Sequence, residues 1–293
     1  MKRKPDKTTI VLANTAEAFK IQLMQSAGTE DGQAKIRIES DLSQRAFFWE
    51  GDNKIVVTPH RIPRCLFEAN IQALGYRAVK NLSPKEEAVD LSLAVIKDAK
   101  LLSQLIDFAK SHARIKLTTY ATTPSFTLLI DRFKQAGVSI EAPENPAKLD
   151  VVAYLDSKVG FREVVCRLSR SFPQVKIPIG FICEGHAEAV KKVKYFLNEG
   201  KSCVLKVNGG ESGWGLMILK TEQFSDGTEV ARYIEKQFVT DPIWVGDRLV
   251  VGEYIHLNSE ISGGSPSTEV YISSSGPKIT YTCEQILTVM ASF

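Results

Sequence analysis

The chain has 293 residues, enough for two domains with ordinary hydrophobic cores. Hydrophobic residues make up 44% of it and charged residues 24%, as in a typical soluble globular protein. No apolar run reaches the roughly 18 residues of a membrane span. The basic start is followed by an apolar run of only strand length, unlike a signal peptide. We therefore expect a cytoplasmic protein without a membrane partner.

The net charge of +3 is small, and no Arg-rich or aromatic pattern accompanies the basic start, so we expect no nucleic-acid partner. The five cysteines are far apart and form no CxxC pair, which favours reduced, mostly buried thiols over disulfides or zinc. The four histidines have no spacing typical of metal ligands. The sequence therefore assigns no metal site.

The first half of the chain alternates between two periodicities. Strands are predicted at Thr8–Ala13, Lys54–Thr58, Ile115–Thr119 and Val138–Glu141, and helices at Asn14–Ser26, Cys65–Leu74, Ala99–His112 and Pro124–Gln135. This alternation predicts a layered α/β domain with a mainly parallel sheet. The domain is expected to end near Pro146, where prolines interrupt both patterns. The first predicted turn lacks the glycines of a dinucleotide-binding fingerprint, so no dinucleotide is expected there.

The second half becomes rich in strands. Strands are predicted at Ile177–Ile182, Cys203–Val207, Leu216–Lys220, Asp247–Ile255, Thr268–Ser273 and Lys278–Cys283. The predicted helices are Val159–Arg170, Gly185–Asn198 and Thr228–Phe238. A second, α+β domain is therefore expected after residue 146.

The segment from Lys206 to Gly215 combines a strand lysine, a loop with four glycines and a serine, and a return strand. Glycines allow positive φ and let backbone N–H groups surround phosphate oxygens, and a nearby lysine adds positive charge. A plain hairpin is the alternative, although it needs fewer glycines. A Walker A loop is excluded because no helix opening with Gly-Lys-Ser/Thr follows. The pattern favours a phosphate-binding lid.

This order of lysine strand, glycine-rich lid and return strand resembles the ATP-grasp superfamily. Lys158 resembles the family's earlier phosphate-contacting lysine at a helix start. The run Leu249 to Ile255 resembles the hinge strand whose backbone binds adenine. The resemblance implies a nucleotide site formed by Lys158, Lys206, Gly209, Gly210, Ser212, Gly213, Gly215, Glu253, Tyr254, Ile255 and Glu260. Glu260 is matched to the acid that holds the ribose, with a solvated loop acid as the alternative.

Two further segments resemble the pheganomycin-type peptide ligases. They are Ser265-Pro-Ser267 with Glu284-Gln285, and Ser43-Gln-Arg45 with Trp49, which resembles the family's pre-ATP-grasp domain. The resemblance implies a layered α/β pre-ATP-grasp domain over residues 1–146. An ATP-grasp α+β domain lacking its C-terminal part would follow over residues 147–293.

The family joins a carboxylate to an amine or peptide through an acyl phosphate made from ATP. The resemblance implies Mg²⁺ as well, but the segment that carries its acid and asparagine ligands is not found before Phe293. An incomplete site should turn over less, and no catalytic residue is assigned. The expectation is thus an ATP-dependent ligase. The alternative is an inactive or truncated ATP-grasp protein that senses nucleotide or binds another protein. Because related folds often dimerise, a homodimer is also expected.

Overall fold

The computed structural model describes residues 8–143, 148–210, 213–246, 248–256, 258, 260, 264–273 and 275–285. The chain divides into two compact units, Met1–Ala153 and Tyr154–Phe293. Each unit has a β-sheet and a hydrophobic core of its own. In the part of the chain that is described, no helix has the length and apolar character needed to cross a bilayer.

The first unit is built on a parallel sheet. Its strands are β1 (Thr9–Leu12), β2 (Lys54–Val57), β3 (Val79–Leu82), β4 (Ile115–Thr119) and β5 (Ile140–Glu141), in the order β3-β2-β1-β4-β5. Its helices are α1 (Thr15–Ala18), α2 (Lys20–Ser26), α3 (Glu30–Leu42), α4 (Arg64–Leu74), α5 (Leu91–Lys97), α6 (Ala99–Lys110) and α7 (Pro124–Gln135), with a 3₁₀ helix at Ser43–Phe48. The predicted layered α/β arrangement with a parallel sheet is confirmed.

Successive residues of β1 alternate between two hydrophobic cores, one on each face of the sheet. Ile10 and Leu12 pack in a core with α5, α6 and α7. Val11 and Ala13 pack in a second core with the 3₁₀ helix and α4. Because side chains alternate along a strand, covering both faces requires the continuous apolar run that the sequence shows.

Four elements of the first unit were not predicted, namely α3, the 3₁₀ helix, β3 and α5. The buried residues of α3 are small or polar, so no apolar stripe marks this helix in the sequence. Its start is capped by Thr29, whose hydroxyl accepts a hydrogen bond from the Gly32 amide (2.9 Å). At α5, the carboxylate of Asp90 accepts from the Leu93 amide (3.0 Å). These caps were the available signals for both helices.

The second unit contains two antiparallel sheets. Strands β6 (Gly180–Glu184), β7 (Cys203–Val207), β8 (Leu216–Leu219) and β9 (Arg248–Glu253) form one sheet in the order β6-β9-β7-β8, while β10 (Pro266–Ser273) pairs with β11 (Gly276–Glu284). Helix α8 (Leu149–Asp156) contains the division between the units, and α9 (Lys158–Leu168), α10 (His186–Asn198) and α11 (Gly227–Thr240) follow. Short 3₁₀ helices lie at Thr221–Gln223 and Pro242–Trp244.

The predicted strands of this unit are confirmed, with one error at a boundary. The strand expected from Ile177 begins at Gly180 instead. Pro178 has no backbone N–H to donate to a sheet, so the strand starts only after it. Predicted helices over α9, α10 and α11 are confirmed to within a few residues at each end.

Lys54 is buried in the first unit, with only 1% of its surface exposed. Its Nζ donates to the backbone carbonyls of Phe47 (2.5 Å) and Trp49 (2.6 Å), at the end of the 3₁₀ helix. Burial lowers the pKa of Lys54 to about 8, against the opposing influence of Glu50 and Asp52. The ammonium therefore satisfies carbonyls that would otherwise be buried without a donor.

We predict that Lys54 makes the free energy of unfolding of the first unit vary with pH in the alkaline range. Between pH about 8 and about 10.5 the unfolded chain binds more protons at Lys54 than the folded chain. The free energy of unfolding should therefore rise with pH in this window, by up to about 3 kcal/mol, relative to Lys54→Met. Urea unfolding followed by Trp49 fluorescence at several pH values measures this difference. A difference that is flat or falls with pH would contradict the prediction.

Candidate functional site

Strand β7 presents two different faces. Cys203, Leu205 and Val207 point into the core formed with α10 and α11. Because side chains alternate along a strand, Val204 and Lys206 lie on the opposite face. On the neighbouring strand β9, Val250 and Gly252 share that face, since Lys206 pairs with Val250 and Val204 with Gly252.

Helix α9 lies against this second face and is fixed at its first turn by Asn208. The Asn208 carbonyl accepts from the Lys158 amide (2.9 Å), and its side-chain Oδ1 accepts from the Val159 amide (3.0 Å). Ser157 caps the helix by accepting from the Gly160 amide (2.9 Å). Asn208 directly follows β7, so the helix start and the end of the lysine strand are held together.

An ionic contact fixes the middle of α9. Arg248 on β9 contacts Glu163 of the helix (Nη2 to Oε1, 2.9 Å) and Glu184 at the end of β6 (Nε to Oε1, 3.0 Å). Tyr154 donates to the other oxygen of Glu163 (2.5 Å). The helix is therefore positioned over β6 and β9 at two points along its length.

Arg162 lies one helical turn after Lys158, and therefore on the same side of α9. Its Nη2 donates to the Pro178 carbonyl (3.0 Å). Its guanidinium also lies directly above Gly180, where a Cβ atom would come within 2.6–2.7 Å of the guanidinium atoms. The Arg162 guanidinium can occupy this position because residue 180 has no side chain.

Lys158, Arg162 and Lys206 form a cluster of like charges, the cation cluster. Burial lowers the pKa of Lys206, and the positive charges of Lys158 and Arg162 lower it further. Among the described residues, none of the three has an ion-pair partner. Three cations that lack an ion-pair partner within the described ranges form a site suited to an anion.

The cation cluster borders a cleft with a volume of about 170 Å³. Typical small-molecule pockets measure roughly 300–1,000 Å³, so the cleft encloses only part of a nucleotide-sized ligand. The cleft is lined by Lys158, Phe161, Arg162, Val165, Ile177, Pro178, Val204, Lys206, Val250, Gly252 and Glu253. The cleft is therefore lined by the three cations, by Glu253 and otherwise mostly by apolar residues.

Residues 208–215 connect β7 to β8, as the strand–loop–strand prediction requires. Gly213 (φ 83°) and Gly215 (φ 70°) have left-handed backbone conformations. A Cβ at Gly210 or Gly215 would also come within 2.7 or 2.2 Å of the Val207 side chain. Two of the loop glycines are thus required by packing, a reason that the sequence did not reveal.

The structure does not test the nucleotide role of the loop residues. Gly209 lies in the turn after Asn208, and Ser212 lies outside the described residues. The predicted contacts of Gly209, Gly210, Gly213 and Gly215 with phosphate stay predictions.

The predicted hinge residues lie at the rim of the cleft or beyond it. Glu253 lines the cleft and forms an ion pair with Lys201 (3.4 Å). The Glu253 amide donates to the Ile179 carbonyl (2.8 Å), and the Tyr254 amide donates to the Ser202 carbonyl (3.0 Å). These two amides are therefore engaged within the protein. The predicted adenine contact of the Tyr254–Ile255 backbone stays a prediction.

Glu260 is exposed, and its backbone amide donates to Asn258 Oδ1 (3.1 Å). Its predicted contact with the ribose stays a prediction. For the Mg²⁺ that the resemblance implies, the described residues include no group of three or more His, Cys, Asp or Glu side chains able to hold an ion. No metal ligand is assigned.

Sequence analysis missed Arg162 and Asn208. The spacing of four between Lys158 and Arg162 was the signal for the first, because it places both residues on one side of a helix. Asn208 had no such signal. Its two contacts join segments about fifty residues apart in the sequence, which only the fold brings together.

No protein-family model matches the chain, and the comparison with curated proteins found no match. The chain is similar to the ADP complex of an N5-carboxyaminoimidazole ribonucleotide synthetase (11% identity, TM-score 0.46), covering 99% of this chain and 57% of that one. It is also similar to N5-carboxyaminoimidazole synthetase from Staphylococcus aureus complexed with ADP (14% identity, TM-score 0.45, 94% and 54%).

A third similar structure is a RimK domain ATP-grasp protein from Sphaerobacter thermophilus (12% identity, TM-score 0.35), covering 81% of this chain and 93% of that one. ATP-grasp proteins are thus among the solved structures to which the chain is similar. The chain spans little more than half the length of the two synthetases. The cleft residues, rather than these similarities, support the function proposed below.

We predict that Gly180→Ala displaces the Arg162 guanidinium from the cleft, because the new Cβ would lie within 2.7 Å of it. Removing a neighbouring positive charge should raise the pKa of Lys206. NMR titration of protein isotope-labelled at lysine Cε measures this, with Arg162→Met as the reference for full loss of the charge.

Gly246→Ala is the matched control, because a Cβ there would meet nothing within 4 Å. It should leave the Lys206 titration unchanged. The same Lys206 pKa in Gly180→Ala and wild type would show that Arg162 keeps its place, contrary to the prediction.

Proposed function

We propose that the second unit binds ATP, with the polyphosphate at the cation cluster, and that it serves an ATP-dependent carboxylate–amine ligase. The observation that carries the proposal is the cation cluster lining a largely apolar cleft, where its members have no ion-pair partner among the described residues. Placing Lys206 in a half-buried position next to two further cations costs free energy in the absence of an anion. A polyphosphate would offset that cost by supplying negative charge to all three residues.

The composition of the cleft fits a nucleotide. Lys206 lies two residues before residues 208–215, so its charge is at the loop end of the cleft, while the Arg162 guanidinium lies above Gly180, the register partner of Gly252. Val204 and Gly252 lie two residues farther from the loop along their strands, about 7 Å away. Phosphates near Lys206 and the loop would leave the apolar lining residues Phe161, Val165, Ile177 and Val204 to contact the flat base.

The residues of this chain have distinct tasks in the proposed site. Lys206 provides a compact point charge from a rigid strand, and Lys158 provides a second one from the start of α9. Asn208 and Arg248 hold that helix in place, so the charges need not be assembled when the ligand arrives. ATP, when bound, supplies the phosphoryl group that activates a carboxylate. The loop between β7 and β8 would cover the phosphates and exclude water.

We predict that Lys206→Met weakens ATP binding by about 10- to 100-fold. This corresponds to the roughly 1.5–3 kcal/mol of a hydrogen bond to a charged group. Calorimetric titration with ATP measures the affinity, and ADP release on addition of amino acids or peptides separates a ligase from a protein that only binds nucleotide. Lys158→Met should weaken binding in the same direction.

Lys191→Met is the control at equal net charge, because Lys191 is exposed on α10, away from the cleft. It should bind ATP as the wild type does. The proposal fails if the wild type does not bind ATP, or if Lys206→Met and Lys191→Met bind it equally well.

A further inference from the structure

The sheet of the first unit has a topological switch point between β1 and β4. The segments that connect β1 to β2 and β2 to β3 pack on one face of the sheet. The segments that connect β3 to β4 and β4 to β5 pack on the other face. Adjacent strands whose connections leave in opposite directions open a crevice outside their carboxyl ends. In open α/β sheets, that crevice is where ligands bind.

The bottom of this crevice is filled by the Asn14 side chain and the residues that follow β4. The side-chain Oδ1 of Asn14, which follows β1, accepts from Thr119 Oγ1 (2.6 Å) and from the amides of Tyr120 (3.0 Å) and Ala121 (3.1 Å). Its Nδ2 donates to the Ala121 carbonyl (2.9 Å). A ligand at this edge would therefore meet the side chains that surround Asn14, rather than open backbone amides.

The 3₁₀ helix brings a guanidinium to this edge. Ser43, at its start, is buried and hydrogen-bonded to Thr15, which lies just beyond the carboxyl end of β1. Arg45 follows two residues later and places its Cζ 5.7 Å from the centre of the Tyr120 ring. Tyr120 itself directly follows β4. The guanidinium thus lies beside the residue that follows the carboxyl end of β4, one of the two strands that define the switch point.

Tyr120 is also the centre of a group of aromatic rings, the aromatic shelf. Trp49 is stacked with it (centroids 6.2 Å apart, rings 15° from parallel). Phe19 meets its edge (6.3 Å, 62°). The Tyr120 side chain is 42% exposed, so the shelf presents an aromatic surface to a ligand.

Arg45 differs from two lysines of the first unit, each of which is paired with a carboxylate. Lys116 is paired with Glu50 (2.5 Å), and Lys20 with Asp90 (2.8 Å). Arg45 is exposed, and within the described ranges no carboxylate lies at ion-pairing distance from it. Its planar fork of donors is suited to a carboxylate, which it can bind through two parallel hydrogen bonds.

We propose that this edge binds a small carboxylate that carries an aromatic ring, with Arg45 holding the carboxylate and the aromatic shelf holding the ring. That this molecule is the acid substrate rests on the proposed ligase function. Binding itself does not, because every residue involved belongs to the first unit. The two proposals can therefore fail separately.

The test is a titration of the full chain, without nucleotide, with phenylacetate, followed by NMR of the isotope-labelled protein. Saturable shifts are expected at Trp49 and Tyr120. Phenylacetamide, which keeps the ring without the charge, and acetate, which keeps the charge without the ring, should each bind at least about tenfold more weakly. Arg45→Gln should weaken phenylacetate binding about tenfold or more and leave phenylacetamide unchanged, and Tyr120→Leu should weaken both.

Arg37→Gln is the matched control, since Arg37 is an exposed arginine on α3 and should leave phenylacetate binding unchanged. Circular dichroism of each variant establishes that it is folded. The proposal is overturned if wild type shows no saturable shift up to the solubility of phenylacetate. It is equally overturned if Arg45→Gln and Arg37→Gln bind phenylacetate alike. Failure to bind ATP alone would leave it standing.

Discussion

Repulsion among Lys158, Arg162 and Lys206 is the interaction around which the second unit is arranged. Three like charges between one face of a sheet and the helix that covers it remain close only if their backbones are held by other contacts. Asn208 supplies such contacts at the start of α9, and the Arg248 ion pairs supply them farther along. The core formed with α10 and α11 keeps the sheet itself in place. Free energy from packing and hydrogen bonding is thus used to maintain an electrostatic arrangement that is unfavourable on its own.

Most elements could be predicted from the sequence because one or both of their faces pack against an apolar core. Each face of β1 meets an apolar core, and β7 packs one face into a core and has the apolar Val204 on the other, so an apolar run marks both strands. Helix α3 escaped prediction because its buried positions are polar or small, and such positions leave no periodic signal. Its partners are its neighbours along the chain, since the hydroxyls of Thr15 (3.0 Å) and Ser43 (3.1 Å) both donate to the Glu39 carbonyl.

The candidate site was predictable to the extent that it depends on local spacing. Lys206 and the glycine loop form one continuous segment, and Lys158 could be placed through its resemblance to a known family. The place of Arg162 above Gly180 depends on how α9 lies on β6, which is a tertiary relation. The same holds for Arg45 and Tyr120, which are brought together by the order of the strands. For this reason, no ligand-binding residues of the first unit could be predicted from the sequence alone.

The absence of a side chain at Gly180 limits which residues positions 162 and 180 can hold. Arg162 and Gly180 share one small volume, so a larger residue at position 180 is compatible only with a shorter or displaced residue at position 162. Neither position can change freely while the other is kept. Among natural relatives, the two positions should therefore covary, with arginine at one accompanied by glycine at the other.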